Sequence, residues 1–362
     1  MKNYKICVYA ICKNESNFIQ RWYESVKDAD YICVLDTGST DDSLDKLNKL
    51  GITVKQKIIK PWRFDVARNE SLKLIPYDAD ICICLDLDEV LIGNWKKILL
   101  NSWNEKTTRI MYTYNWSLDD KDKPIVSFYT NKIHKNNYYT WTHPVHETLK
   151  INDGFNEVET LCDKLIINHY PDSSKSRSSY LPLLELSVKE CPNDDRNMHY
   201  LGREYMFYGK YHEAIDTLIK HLDMQNALWK DERCASMRFI GRCYKYLNRF
   251  KESEMWYKLS IKEAPYLRDG YIELALLYYE KKMYSKMNYY VHKALKIVNN
   301  KKSYINETFT YDETAYDLLS IGNYYLGKYK SSLKYVNMAI NIKSNDRLLN
   351  NRELILNKIK TG

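Results

Sequence analysis

The chain contains no apolar run near the ~20 residues that a membrane-spanning helix needs. Its apolar N-terminal stretch is short and broken by Lys5 and Lys13, unlike the core of a secretory leader. Both absences predict a cytoplasmic chain with no membrane span. None of the nine cysteines forms a C-x-x-C pair, which excludes a zinc ribbon or a thioredoxin-like site of that type. Several lie inside apolar runs, where a reduced thiol acts as a small hydrophobe. Only 11 glycines occur among 362 residues, with neither a G-x-x-x-x-G-K-[ST] phosphate loop nor a G-x-G-x-x-G turn. Nucleotide hydrolysis on a P-loop and nicotinamide chemistry on a dinucleotide fold are thereby excluded.

What is present divides into two halves. Residues 1–190 carry 26 Lys and Arg against 27 Asp and Glu, whereas residues 191–362 carry 29 against 20. The whole basic excess, and 21 of the 33 tyrosines, therefore lie in the second half. The basic residues there are dispersed, as on a solvated helical face, which speaks against nucleic-acid binding. In the first half, short apolar runs at 4–12, 31–35, 52–59 and 81–85 alternate with helical patterns at 14–27, 41–50 and 66–74. That alternation predicts a mostly parallel sheet covered on both faces. Longer alternating stretches at 108–116, 125–134 and 158–170 add antiparallel or mixed strands.

Beyond a polar loop starting at Pro171, apolar residues recur at three-to-four spacing, so the remainder is predicted helical. An internal repeat runs through it: Gly202-x-x-Tyr205 with Ala214, Gly241-x-x-Tyr244 with Ser253, Ala275-x-x-Tyr278, and Gly322-x-x-Tyr325 with Ser332. A small residue admits a neighbouring helix, a large aromatic fills the gap, and Pro265 ends a unit. The pattern resembles the tetratricopeptide repeat and predicts three or four helical hairpins. The expected domains are residues 1–175 and 176–362.

The densest chemistry is the run 84–90, C-L-D-L-D-E-V, an apolar strand ending in Asp86 and Asp88. Strand alternation predicts both carboxylates on one side. A hard divalent ion with open positions for phosphate oxygens suits such a pair. Glu89 would point the other way and stand behind it. Three blocks precede this run: A-I-C-K-N-E at 10–15, V-L-D-T-G-S-T-D-D-S at 34–43, and W-R-F-D-V-A-R-N-E-S-L at 62–72. Each falls at or just after the carboxyl end of an expected strand, where open α/β sheets assemble ligand sites. Asp41, Asp42 and Ser43 read best as the start of the next helix. The runs W-T-H-P-V-H-E at 141–147 and N-H-Y at 168–170 follow.

Together these blocks resemble the family 2 glycosyltransferases of the GT-A fold over about residues 4–170. With the helical tail, the layout is similar to the bacterial and viral S-glycosyltransferases in which a GT-A domain carries tetratricopeptide-like repeats. The resemblance implies a Rossmann-like mixed α/β sheet followed by an all-α repeat domain. It also implies metal-dependent, inverting transfer of a hexose, with UDP-glucose the leading donor, to a peptide, protein or glycan acceptor. Carried over residue by residue, Glu15, Asp36, Arg68 and Asp86 bind the nucleotide sugar. Asp88, Asp86 and His169 hold Mn²⁺ or Mg²⁺, with Asp88 the principal ligand. An inverting transfer needs one proton acceptor; Glu147 is the first choice and His146 the second. Trp116 and Trp141 could face a sugar, although core packing is the simpler reading of both. The competing expectation is a non-catalytic repeat scaffold with a degenerate front domain. The helical repeats are also an expected surface for a homodimer.

Overall fold

The computed structural model describes residues 4–119, 121–172, 180–298 and 303–361. Two compact units, Met1–Glu190 and Cys191–Gly362, make up the chain. The expected boundary between residues 175 and 176 lies outside the described residues.

The first unit runs β1 (Ile6–Cys12), α1 (Ile19–Val26), β2 (Tyr31–Asp36), α2 (Ser43–Lys49), β3 (Thr53–Gln56), α3 (Phe64–Leu72), β4 (Ile81–Cys84) and β5 (Glu89–Leu91). It continues with α4 (Trp95–Ser102), β6 (Arg109–Leu118), β7 (Pro124–Lys135), β8 (Tyr139–Thr142), β9 (Thr148–Ile151), β10 (Glu159–His169) and α5 (Tyr180–Glu190). Eight strands form one sheet in the order β3-β2-β1-β4-β7-β6-β10-β5, and β8 and β9 pair separately. Strands β3, β2, β1 and β4 are parallel, whereas β7 is antiparallel to both β4 and β6. The mixed sheet is thus as expected; the short β5 and the β8–β9 hairpin had no clear periodic signal.

Strand β1 lies inside the sheet between β2 and β4 and is apolar on both faces because both are covered. Ile6, Val8 and Ala10 join Trp22 and Trp95 in one core, while Cys7 and Tyr9 join Cys33, Cys82, Cys84 and Trp141 in the other. Eight of the nine cysteines are buried, Cys191 is exposed, and all are free thiols. Small sulfur side chains on that second face leave room for the Tyr9 and Trp141 rings.

The second unit is helical: α6 (Asp195–Phe207), α7 (Tyr211–Asp223), α8 (Lys230–Tyr246), α9 (Phe250–Glu263), α10 (Asp269–Glu280), α11 (Tyr284–Leu295), α12 (Thr314–Tyr325), α13 (Tyr329–Ile342) and α14 (Asp346–Thr361). Four hairpins, α6/α7, α8/α9, α10/α11 and α12/α13, stack with α14 after them. The repeat glycines explain the close approach. A methyl group on Gly202 would stand 2.5 Å from Leu218 Cγ, and one on Gly241 would stand 2.7 Å from Tyr257 Cε1. The ring that fills the gap at Gly241 is therefore Tyr257 of the following helix, not Tyr244 of the sequence repeat. Tyr325 likewise fills nothing; it is mostly exposed and stacks on Tyr284 with centroids 4.5 Å apart.

The long α11–α12 connection folds back onto the earlier helices. Ile305 joins the core made by α6, α7 and α8, and its carbonyl accepts from the buried Arg238 guanidinium at 2.9 Å. Glu307 pairs with Arg242 at 2.6 Å. No helix among the described residues is long and apolar enough to cross a membrane.

Candidate active site

The carboxyl ends of β2, β1 and β4 are neighbours in the sheet, and the loops leaving them carry the motif blocks. The first two blocks interlock. Asn14, in the left-handed region (φ 56°), accepts the Thr40 N–H at 2.7 Å and donates its own N–H to Ser39 Oγ at 2.9 Å. Glu15 donates its N–H to Ser43 Oγ at 2.8 Å. Asp41 accepts the Ser43 N–H at 3.0 Å, so this cluster does shape the start of α2.

Asp36 closes β2 and is wholly buried. Its Oδ1 accepts three donors at 3.0 Å each: the N–H groups of Gly38 and Ser39 and the Gln56 amide. Gly38 takes φ 109°, a conformation open to glycine. Burial raises the Asp36 pKa, but these donors outweigh it and hold the carboxyl below its ordinary value. Asp36 Oδ2 is buried with no hydrogen-bond partner among the described residues. An ionised acceptor with one idle oxygen fits a ligand N–H or hydroxyl.

The acidic run is a turn rather than a strand end. Strand β4 stops at Cys84, and Asp86 to Asp88 lie in the turn before β5. Strand alternation therefore does not govern the two carboxylates, and different partners engage them. Asp86 receives a two-point ion pair from Arg68 at 2.8 and 2.9 Å, and Lys132 Nζ at 3.2 Å. Burial alone would raise its pKa; Arg68 and Lys132 pull it well below the carboxylate range. Asp88 instead faces His169 Nε2 at 3.4 Å.

Arg68, on α3, is 4% exposed and also reaches Glu147 and Cys84 Sγ. Its guanidinium lies 5.1 Å from the Trp141 ring centroid. One side chain thus ties the acidic turn to the loop between β8 and β9, which holds both candidate bases. That loop bends through two left-handed residues, His143 (φ 74°) and His146 (φ 52°). The Pro144 carbonyl accepts the Phe64 N–H at 2.9 Å, which docks the loop on the start of α3. The His146 ring lies 5.8 Å from Tyr180.

His169 ends β10. Its Nδ1 is 3.0 Å from the Trp116 carbonyl, which fixes the tautomer with Nε2 toward Asp88. Burial lowers the His169 pKa, yet Asp88 and the Trp116 carbonyl outweigh it and the net shift is upward. The Trp116 ring stacks on His169 at 4.5 Å and 20°. At 45% exposed, Trp116 is not a core residue, contrary to expectation. Trp141 is: its Nε1 donates to Tyr9 Oη at 3.0 Å and Asn69 clasps its backbone.

Sequence reading missed Lys132, while Glu89 stands behind the acidic turn. Glu89 Oε2 accepts the Asp86 N–H at 2.9 Å, while Oε1 accepts from Tyr114 Oη at 2.8 Å and Lys132 at 3.1 Å. Lys132 falls where the β6–β7 register slips, since Tyr112 pairs with Thr130 but Ile110 with Ile133. A bulge re-aims a side chain without leaving a two-residue period to read.

A mixed sheet with a parallel β3-β2-β1-β4 half, an acidic turn after β4 and the motif-bearing loops at the carboxyl edge defines a GT-A-like unit. Residues 7–156 match the family described as glycosyl transferase family 2. No curated protein sequence matches the chain. The helical part has tetratricopeptide-like neighbours among solved structures. A MamA structure is 17% identical, covering 46% of this chain and 88% of its own, with a TM-score of 0.37. Pseudomonas aeruginosa pilF is 12% identical, covering 46% and 69%, with a TM-score of 0.37. A TPR repeat-containing protein of Cytophaga hutchinsonii is 13% identical, covering 51% and 67%, with a TM-score of 0.43.

Proposed function

We propose that the chain is a metal-dependent, inverting hexosyltransferase that uses a UDP-sugar, UDP-glucose first among them, and a peptide or protein acceptor. The observation that carries this reading is the Asp88–His169 pair beside Asp86. Nε2 and a carboxylate oxygen face each other across 3.4 Å while Nδ1 is pinned from behind. A nitrogen and an oxygen so placed fit Mn²⁺, with phosphate oxygens completing the shell. A divalent ion there would offset the charge of the departing diphosphate. Asp36 Oδ2 would accept from the uracil or ribose, and Glu15 would line the same pocket. Arg68 would act chiefly by holding Asp86 and Glu147 together.

In the transfer, the acceptor nucleophile forms a bond to the anomeric carbon, the bond from that carbon to the UDP oxygen breaks, and the nucleophile's proton passes to Glu147. His146 is the alternative acceptor of that proton. The basic, tyrosine-rich helical unit would present an acidic or polar peptide. A degenerate front domain is not favoured, because the buried ionic groups of the site are intact and mutually paired.

The test is UDP-sugar turnover with and without Mn²⁺. Asp88→Asn and His169→Ala should each lower metal-dependent turnover by at least tenfold while circular dichroism stays unchanged. Glu147→Gln should lower transfer by roughly 10²–10⁴ with UDP affinity retained. Full activity in Asp88→Asn would overturn the metal assignment, and a dead His146→Ala beside an active Glu147→Gln would exchange the base.

A further inference from the structure

Three helix ends converge in the second unit, among residues the proposed transfer does not use. Asp195 opens α6, His221 lies in the last turn of α7, and Glu232 lies in the first turn of α8. One ligand-type atom from each lies within 4.8 Å of both others. His221 and Glu232 are buried, and Asp195 is partly open to solvent.

Each group is also held from behind. His221 Nδ1 is 2.9 Å from Ser236 Oγ, the hydroxyl that also meets His199 Nδ1 at 2.7 Å. Glu232 Oε2 accepts from Tyr304 Oη, and Asp195 Oδ1 accepts from the Asn226 amide at 3.1 Å. His221 Nε2 and Glu232 Oε1 face each other 3.4 Å apart. His221 Nε2 is fully buried and makes no hydrogen bond among the described residues.

That pattern costs free energy when nothing lies between the groups. A buried ring nitrogen without a hydrogen bond loses its hydration uncompensated. Two carboxylates beside each other repel. A cation among the three removes both penalties. The outer hydrogen bonds match the arrangement that orients metal ligands, in which the far atom of each is fixed by a neighbour.

We propose that Asp195, His221 and Glu232 form a metal site that binds one divalent transition ion of the zinc class. One nitrogen and two carboxylate oxygens are a donor set for Zn²⁺ with a fourth position open toward the exposed side of Asp195. The ion ties the ends of three successive helices and so fastens the first hairpin to the second. This site is independent of the proposed transfer and of its Mn²⁺.

The experiment uses the full chain carrying Asp88→Asn and His169→Ala, which removes two of the three candidate ligands of the sheet unit. Zn²⁺ binding is measured by equilibrium dialysis with metal analysis, and Co²⁺ by its visible absorption. One equivalent should bind, and the thermal midpoint of the helical unit should rise with Zn²⁺. Adding Asp195→Asn, nearly isosteric and partly exposed, should weaken binding at least tenfold with unchanged circular dichroism; His221→Ala should abolish it. No bound ion in the starting variant, or an affinity indifferent to Asp195→Asn, would overturn the site.

Discussion

Lys132 shows how much one side chain can hold in place. Its ammonium sits between Asp86 and Glu89 and bridges the two carboxylates. Burial lowers its pKa, but Asp86 and Glu89 outweigh that and keep it well above the ordinary value. Lys132→Met should therefore cost about 3–5 kcal/mol, the penalty for a buried charge left without its partner. Adding Glu89→Gln should restore much of that loss, since the orphaned carboxylate goes with it. Urea midpoints of the two single variants and the double variant test this. A single-variant loss below about 1 kcal/mol would show that Asp86 and Glu89 are neutralised in another way.

His134 makes a residue-scale prediction about acid. It accepts the Tyr9 hydroxyl at 2.8 Å, and burial pushes its pKa down from 6.5 to about 4. Below pH 6.5 the unfolded chain takes up a proton that the folded chain refuses. Stability is therefore full above 6.5 and falls as the pH drops toward 4, by on the order of 3 kcal/mol from this group. His134→Gln should flatten that part of the profile in urea titrations at pH 7 and pH 4.5. An unchanged slope would mean that His134 is protonated in the folded protein.

At the scale of elements, the sheet was legible because its parallel strands are buried on both faces and read as continuous apolar runs. The site was legible as blocks, since loops at adjacent strand ends come together wherever the strands go. Pairing within it was not. Arg68 to Asp86 spans 18 residues and Arg68 to Glu147 spans 79, and no local period encodes either. The acidic turn was read as a strand end because apolar Leu85 and Leu87 continue the alternation past Cys84. Both leucines are buried, so the pattern was real while the backbone had already turned. In the helices, the small residue of each repeat was visible but the helix that approaches it was not. Gly241→Ala gains helix propensity of about 1 kcal/mol but drives a methyl into the wholly buried Tyr257 ring. The clash should win, with a net loss of about 1–3 kcal/mol in denaturant unfolding. A stabilised variant would show that the ring moves aside freely.

At the scale of the molecule, the segment returning from between α11 and α12 alters how the helical unit comes apart. Linear stacks of hairpins touch only their neighbours, so they fray from the ends and unfold in stages. Here Tyr304 stacks on Tyr200 of α6 at 6.1 Å and bonds Glu232 of α8, while Ile305 enters the core of the first two hairpins. A contact that spans about a hundred residues raises contact order, which slows folding and couples early repeats to late ones. The unit should therefore melt as one block where a plain array would show several steps. Replacing Tyr304 and Ile305 together with Ala should split its calorimetric transition in two, the α12–α14 end leaving first. Cooperativity in this array is thus a property of the loop rather than of the repeats.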